Sequence, residues 1–147
     1  MEIVFSPSYF RESAMITPTP KFRILVVDDE ESVCDAIKMI LEFCGYDVET
    51  ANAGHEAMTF LEKGRVDLLI TDYMMRGMNG QQLARRAKDH RPSLPVLMIT
   101  AFAGSLDLST LAVDAVLSKP FKIDELRDTV ATLLPPRTPP GSSPASN

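Results

Sequence analysis

Asp28 and Asp29 form an adjacent acidic pair, Asp72 stands between Thr71 and Tyr73, and Thr100 and Lys119 stand alone among small or apolar neighbours. Each of these residues lies at the end of a short apolar run: residues 24–27, 68–71, 96–100 and 115–118. Two carboxylates about 5 Å apart repel by roughly 3 kcal/mol at an effective dielectric near 20. Three carboxylates brought together therefore call for cations. Lys119 offsets one charge and a divalent ion the others. Oxygen donors with no His or Cys beside them favour Mg²⁺ over zinc. A carboxylate site holding Mg²⁺ and a lysine is tuned to a dianionic phosphoryl group, with the Thr100 hydroxyl available to bond one of its oxygens.

That chemistry requires the polar residues to share one edge of a sheet. The four apolar runs are continuous and rich in β-formers, as expected of parallel strands buried on both faces. Residues 46–51 (YDVETA) make a weaker, alternating run suited to an edge strand. Between the runs lie amphipathic stretches. Val33, Ala36, Ile37, Ile40, Leu41 and Cys44 form one stripe, ended by Gly45. Shorter stripes follow at 57–61 and 83–87, and Ile123, Leu126, Val130 and Leu133 make the last. Repeated β-α order predicts an α/β fold of five β-α units, an open parallel sheet with helices on both faces. Ligands of such sheets bind outside the carboxyl ends of the strands, where the polar residues fall. Residues 1–20 read as a flexible extension, residues 21–134 as the domain, and 135–147 (PPRTPPGSSPASN) as a disordered tail.

The segments ILVVDDE, LLITDYMMRGMNG, VLMITA and LSKPF, in this order, resemble the signatures of response-regulator receiver domains, the CheY-like family of two-component signalling. The resemblance covers about residues 22–134. It implies a flavodoxin-like strand order 2-1-3-4-5 and Asp72 as phosphoacceptor. It also implies Mg²⁺ held directly by Asp29, largely through water by Asp28, and by Asp72 and the main-chain carbonyl of Met74. Thr100 and Ala101 would bind the phosphoryl group and act as the switch, Lys119 would pair with that group, and the Lys119–Pro120 peptide would be cis. The implied partners are a histidine kinase or histidine phosphotransfer protein and an unnamed downstream protein. The sequence departs from the family pattern at three places. Arg76 stands where proline is usual and is expected to face solvent. Val116 replaces the switch aromatic. The stretch from Thr100 to Lys119 is shorter than usual, which trims the fourth helix.

The expected function is thus a phosphoacceptor module altering a protein-binding surface, with no enzymatic activity beyond phosphorylation and dephosphorylation of itself. The alternatives are a Mg²⁺-dependent aspartate-nucleophile phosphohydrolase and a phosphorylation-independent scaffold. Against the hydrolase, such enzymes usually read D-x-D from the first strand and carry a cap domain. A net charge of −5 argues against nucleic-acid binding. No apolar run is long enough for a membrane span and no secretory signal is visible, so a cytoplasmic location is expected. With only thirteen residues after the domain ends at residue 134, no DNA-binding output domain is expected. Cys44 is placed on the first stripe with Cys34 beside it, about 15 Å apart along one helix and beyond disulfide reach. His55 and His90 read as exposed, and the Arg85–Arg91 basic run as cations suited to a helix C-terminus.

Overall fold

The computed structural model describes residues 21–134, so both terminal segments, 1–20 and 135–147, lie outside the described residues. The element order is β1 (Arg23–Val27), α1 (Glu31–Phe43), β2 (Asp47–Ala51), α2 (Gly54–Lys63), β3 (Leu68–Thr71), α3 (Gly80–His90) and β4 (Val96–Thr100), then β5 (Ala115–Ser118) and α4 (Ile123–Leu133). The strands form one parallel sheet in the order β2-β1-β3-β4-β5.

Strand alternation divides the core into two layers. Ile24, Val26, Leu68, Ile70, Leu97 and Ile99 face α1 and α4, meeting Cys34, Ile37, Leu41, Leu126 and Val130. Leu25, Val27, Leu69 and Val96 face the other way, onto Ala57 and Leu61 of α2 and Leu83, Ala84 and Ala87 of α3. Both faces of the central strands are thus closed to water, which is why these runs carry no polar alternation.

The helix of the fourth β-α unit expected from the sequence is not formed. Between β4 and β5 stand two single-turn 3-10 helices, Ala103–Ser105 and Leu108–Thr110, in place of an α-helix. Their composition explains this. Asp107 turns its carboxylate onto the Ser109 N–H at 3.2 Å and hydroxyl at 2.7 Å, and Ser105 bonds the Phe102 carbonyl at 3.1 Å. Such local side-chain bonds compete with a helical ladder. The segment is fastened instead to α3, where Gln81 donates to the Thr110 carbonyl at 3.1 Å and accepts the Ala112 N–H at 2.8 Å.

Helix α1 is rotated from its expected stripe. Cys34 is buried with Ile37 and Leu41, whereas Ala36 and Cys44 are exposed. The helix ends before Cys44, whose side chain therefore never reaches the core. Gly45 follows at φ +100°, with its N–H on the Glu42 carbonyl at 3.0 Å and the Tyr46 N–H on Leu41 at 3.1 Å. This paired arrangement caps the helix and needs a residue that tolerates positive φ. In α4, Leu126 and Val130 are buried but Ile123 is exposed.

Candidate functional site

The ladder delivers the polar residues to one edge. Asp28 follows β1, Asp72 follows β3, Thr100 ends β4 and Lys119 follows β5. The Asp72 N–H bonds the Val27 carbonyl at 3.1 Å, extending the β1–β3 register past both strand ends and holding Asp72 beside Asp28. The Lys119 N–H bonds the Thr100 carbonyl at 2.9 Å and does the same for β4 and β5.

Lys119 joins the outer strand to the inner ones. Its Nζ lies 2.9 Å from Asp28 Oδ2 and 3.2 Å from Asp72 Oδ2. It bridges the two carboxylates. The remaining oxygens are partly met by main chain. Asp28 Oδ1 accepts the Glu30 N–H at 2.9 Å and Asp72 Oδ1 the Tyr73 N–H at 2.7 Å. Burial raises the Asp72 carboxyl above its ordinary value; Lys119 opposes this and Asp28 reinforces it. Burial alone would lower Lys119, but hydrogen bonding and attraction from Asp28, then Asp72, raise it above its ordinary value. One ammonium is shared by two largely buried carboxylates, so the site retains an excess of negative charge.

Asp29 takes a different partner. Its Oδ2 accepts the Arg76 N–H at 3.1 Å and lies 3.6 Å from the Arg76 Nε. The Arg76 side chain is exposed, as expected, yet it leans on this carboxylate. Thr100 is fully buried, and its Oγ1 accepts the Phe102 N–H at 3.1 Å. Ala101 and the Met74 side chain are exposed. The Lys119–Pro120 peptide is cis. Val116 is half-buried at the sheet edge.

No three His, Cys, Asp or Glu side chains among the described residues make a ready metal cage. Mg²⁺ does not need one, since it commonly takes one or two carboxylates and keeps several waters. Asp28, Asp29 and Asp72 are hard oxygen donors around an uncompensated charge, and that donor set fits the ion. The resemblance to receiver domains would assign the direct contacts to Asp29, Asp72 and the Met74 carbonyl, with Asp28 acting through water.

Several supporting residues went unread in the sequence. Gly80 begins α3 so close to Asp72 that a Cβ there would stand 2.0 Å from the Asp72 carbonyl oxygen. Asn79 and Gln82 form a capping box with both bonds at 2.9 Å, and the N-x-x-Q spacing was a legible signal for it. Asn52 donates to the Asp28 carbonyl at 3.0 Å. Cys34 lies 3.5 Å from the same oxygen, its thiol pushed up to about 11 by burial and then by Asp28, so it stays protonated and inert. His55 and His90 are exposed. The basic run is partly structural, with Lys88 on the Leu94 carbonyl and Asp114, both at 2.8 Å, and Arg91 on the Val66 carbonyl.

The family model for the response regulator receiver domain matches residues 24–131. The chain belongs to this family. Receiver relatives include Response regulator MprA of Mycobacterium leprae, 36% identical over 116 residues, covering 76% of this chain and 50% of that protein. Transcriptional regulatory protein TrcR of Mycobacterium tuberculosis is 35% identical, over 71% of this chain and 42% of its own length. The chain thus spans about half, or less, of these curated relatives. Among solved structures, response regulator TrrA of Thermotoga maritima, in complex with Mg²⁺-BeF, superposes with a TM-score of 0.72 at 36% identity, covering 77% of this chain and 99% of that one. A CheY-like receiver domain of Methanospirillum hungatei gives 0.73 at 32% identity, covering 77% and 93%. No helix among the described residues of this receiver domain is long and apolar enough to cross a membrane.

Proposed function

We propose that this receiver domain accepts a phosphoryl group on Asp72 from a histidine kinase or a histidine phosphotransfer protein, with Mg²⁺ bound. The observation that carries the reading is Asp72 at the end of central strand β3, its Oδ2 3.2 Å from the Lys119 ammonium and its pKa raised mainly by burial. An ionised, poorly solvated carboxylate is a competent nucleophile, and the nearby ammonium meets the charge that the incoming group carries. In the transfer the donor's N–P bond breaks and a bond from an Asp72 carboxylate oxygen to phosphorus forms. Mg²⁺, when bound, neutralises charge on the transferring oxygens. Lys119 would exchange Asp72 for a phosphoryl oxygen while keeping Asp28, and the buried Thr100 hydroxyl with the Ala101 N–H would bond another. The acyl phosphate would then alter a surface read by a downstream protein. The donor class implies a cytoplasmic setting, which suits two free cysteines.

Acetyl phosphate and Mg²⁺ should add one phosphoryl group, detected by intact mass and mapped to Asp72. Label on Asp28, Asp29 or a serine would refute the acceptor. Continued turnover of a generic phosphate ester would make the protein a phosphohydrolase. Absence of labelling with a folded protein would leave a scaffold.

A further inference from the structure

We propose that Arg76 is a tethered counter-ion that competes with Mg²⁺ for Asp29 and so sets the Mg²⁺ affinity of the site. This rests on the reading of the acidic cluster as a Mg²⁺ site. The geometry is specific to one oxygen. Asp29 Oδ2 receives both the main-chain N–H of Arg76 at 3.1 Å and its guanidinium at 3.6 Å. The loop that brings Arg76 there turns back at Gly77, which sits at φ +78°, a conformation that favours glycine. Proline, usual at this position in the family, has neither an N–H nor a charge to offer.

An arginine has five donors and no acceptor, so it can never ligate a metal and can only stand in for one. A guanidinium on Asp29 neutralises the charge that would attract Mg²⁺ and must withdraw before the ion approaches that oxygen. Asp28 and Asp72 are meanwhile tied by Lys119. Without metal, each carboxylate of the cluster therefore has a cation of this chain against it. The Arg76 side chain is 89% exposed, which makes its hold weak enough to reverse and open to screening by salt.

The test is calorimetric titration of Mg²⁺ into the unphosphorylated full chain at low salt. Arg76→Gln should bind Mg²⁺ about two- to fivefold more tightly than the native protein, the range expected for loss of an exposed ion pair. Arg76→Lys, which keeps the charge, should stay near the native affinity. Arg85→Gln removes one positive charge from exposed α3 and should change nothing. The native Arg76 Nε–H resonance should shift as Mg²⁺ is added, because the guanidinium leaves Asp29. Equal affinities for the native protein and Arg76→Gln, with Asp29→Asn still impairing binding, would overturn this proposal while leaving the Mg²⁺ site intact. Equal tightening by Arg85→Gln would overturn it too, reducing the effect to net charge. A chain that binds no Mg²⁺ in any form would overturn both readings.

Discussion

Asp28, Asp72 and Lys119 were each visible in the sequence as polar residues ending apolar runs, and their convergence followed from the parallel sheet. Their pairing did not. Sequence order gives the edge on which side chains gather, but not whether a lysine reaches one carboxylate or two. Arg76 was equally opaque, since a charged loop residue has no periodicity to betray its neighbour. The pairing has a measurable consequence at Asp72. Its folded-state pKa is raised by burial above that of the unfolded chain. The native state then holds the proton more tightly, so stability falls as pH rises from the ordinary carboxylate pKa through the raised value. Above that window the ionised group is a standing cost. Asp72→Asn should therefore unfold at higher urea concentration than the native protein at neutral pH. The difference should shrink as pH is lowered through the window, where native Asp72 also becomes neutral. Urea midpoints at a series of pH values check this, and an unchanged or lower midpoint at pH 7 contradicts it.

Among the elements, the continuous buried strands were the most legible, because burial on both faces leaves a run that reads only one way. Helix faces were less so. In α1 the apolar residues outnumber the positions that touch the sheet, so Ala36 and Cys44 read as core and lie outside it. The missing fourth α-helix was half-legible: the shortened stretch was noticed, but its replacement by two 3-10 turns depends on how Asp107 and Ser105 bond locally. Helix α3 was legible as a stripe, whereas its tight seating beneath the acceptor was not, since a glycine in sequence does not name what it approaches. That seating makes Gly80→Ala a demanding change. A methyl group 2.0 Å from the Asp72 carbonyl oxygen forces α3 or the acceptor loop to move. The variant should lose about 2 kcal/mol or more in denaturant titration and accept phosphoryl groups more slowly. Gly64→Ala, where a new Cβ would meet nothing nearer than the Phe60 carbonyl at 4.0 Å, should stay within about 0.5 kcal/mol.

For the molecule as a whole, the sheet order and the two-layer core followed from the β-α pattern, while the route by which a phosphoryl signal spreads did not. The segment between β4 and β5 has no α-helix to act as a rigid lever, and its residues are largely exposed. Segments with few buried contacts populate the low-stability end of a protein's local equilibria and are the ones a ligand can order. Hydrogen exchange with and without the phosphate mimic beryllofluoride should therefore change most across residues 100–112. Larger changes across 114–133 would show instead that β5 and α4 carry the signal, with Val116 serving without an aromatic ring. The bridge from Lys119 to Asp28 joins residues 91 positions apart in the chain, and the one to Asp72 joins residues 47 apart. Synthesis runs from the N-terminus, so Asp28 and Asp72 both leave the ribosome before their lysine does. A nascent chain or a C-terminally clipped fragment holds the acidic residues without the ammonium that joins them. Under the proposed phosphoacceptor role, a copy that stops short of residue 119 would lack the cation that Asp72 uses.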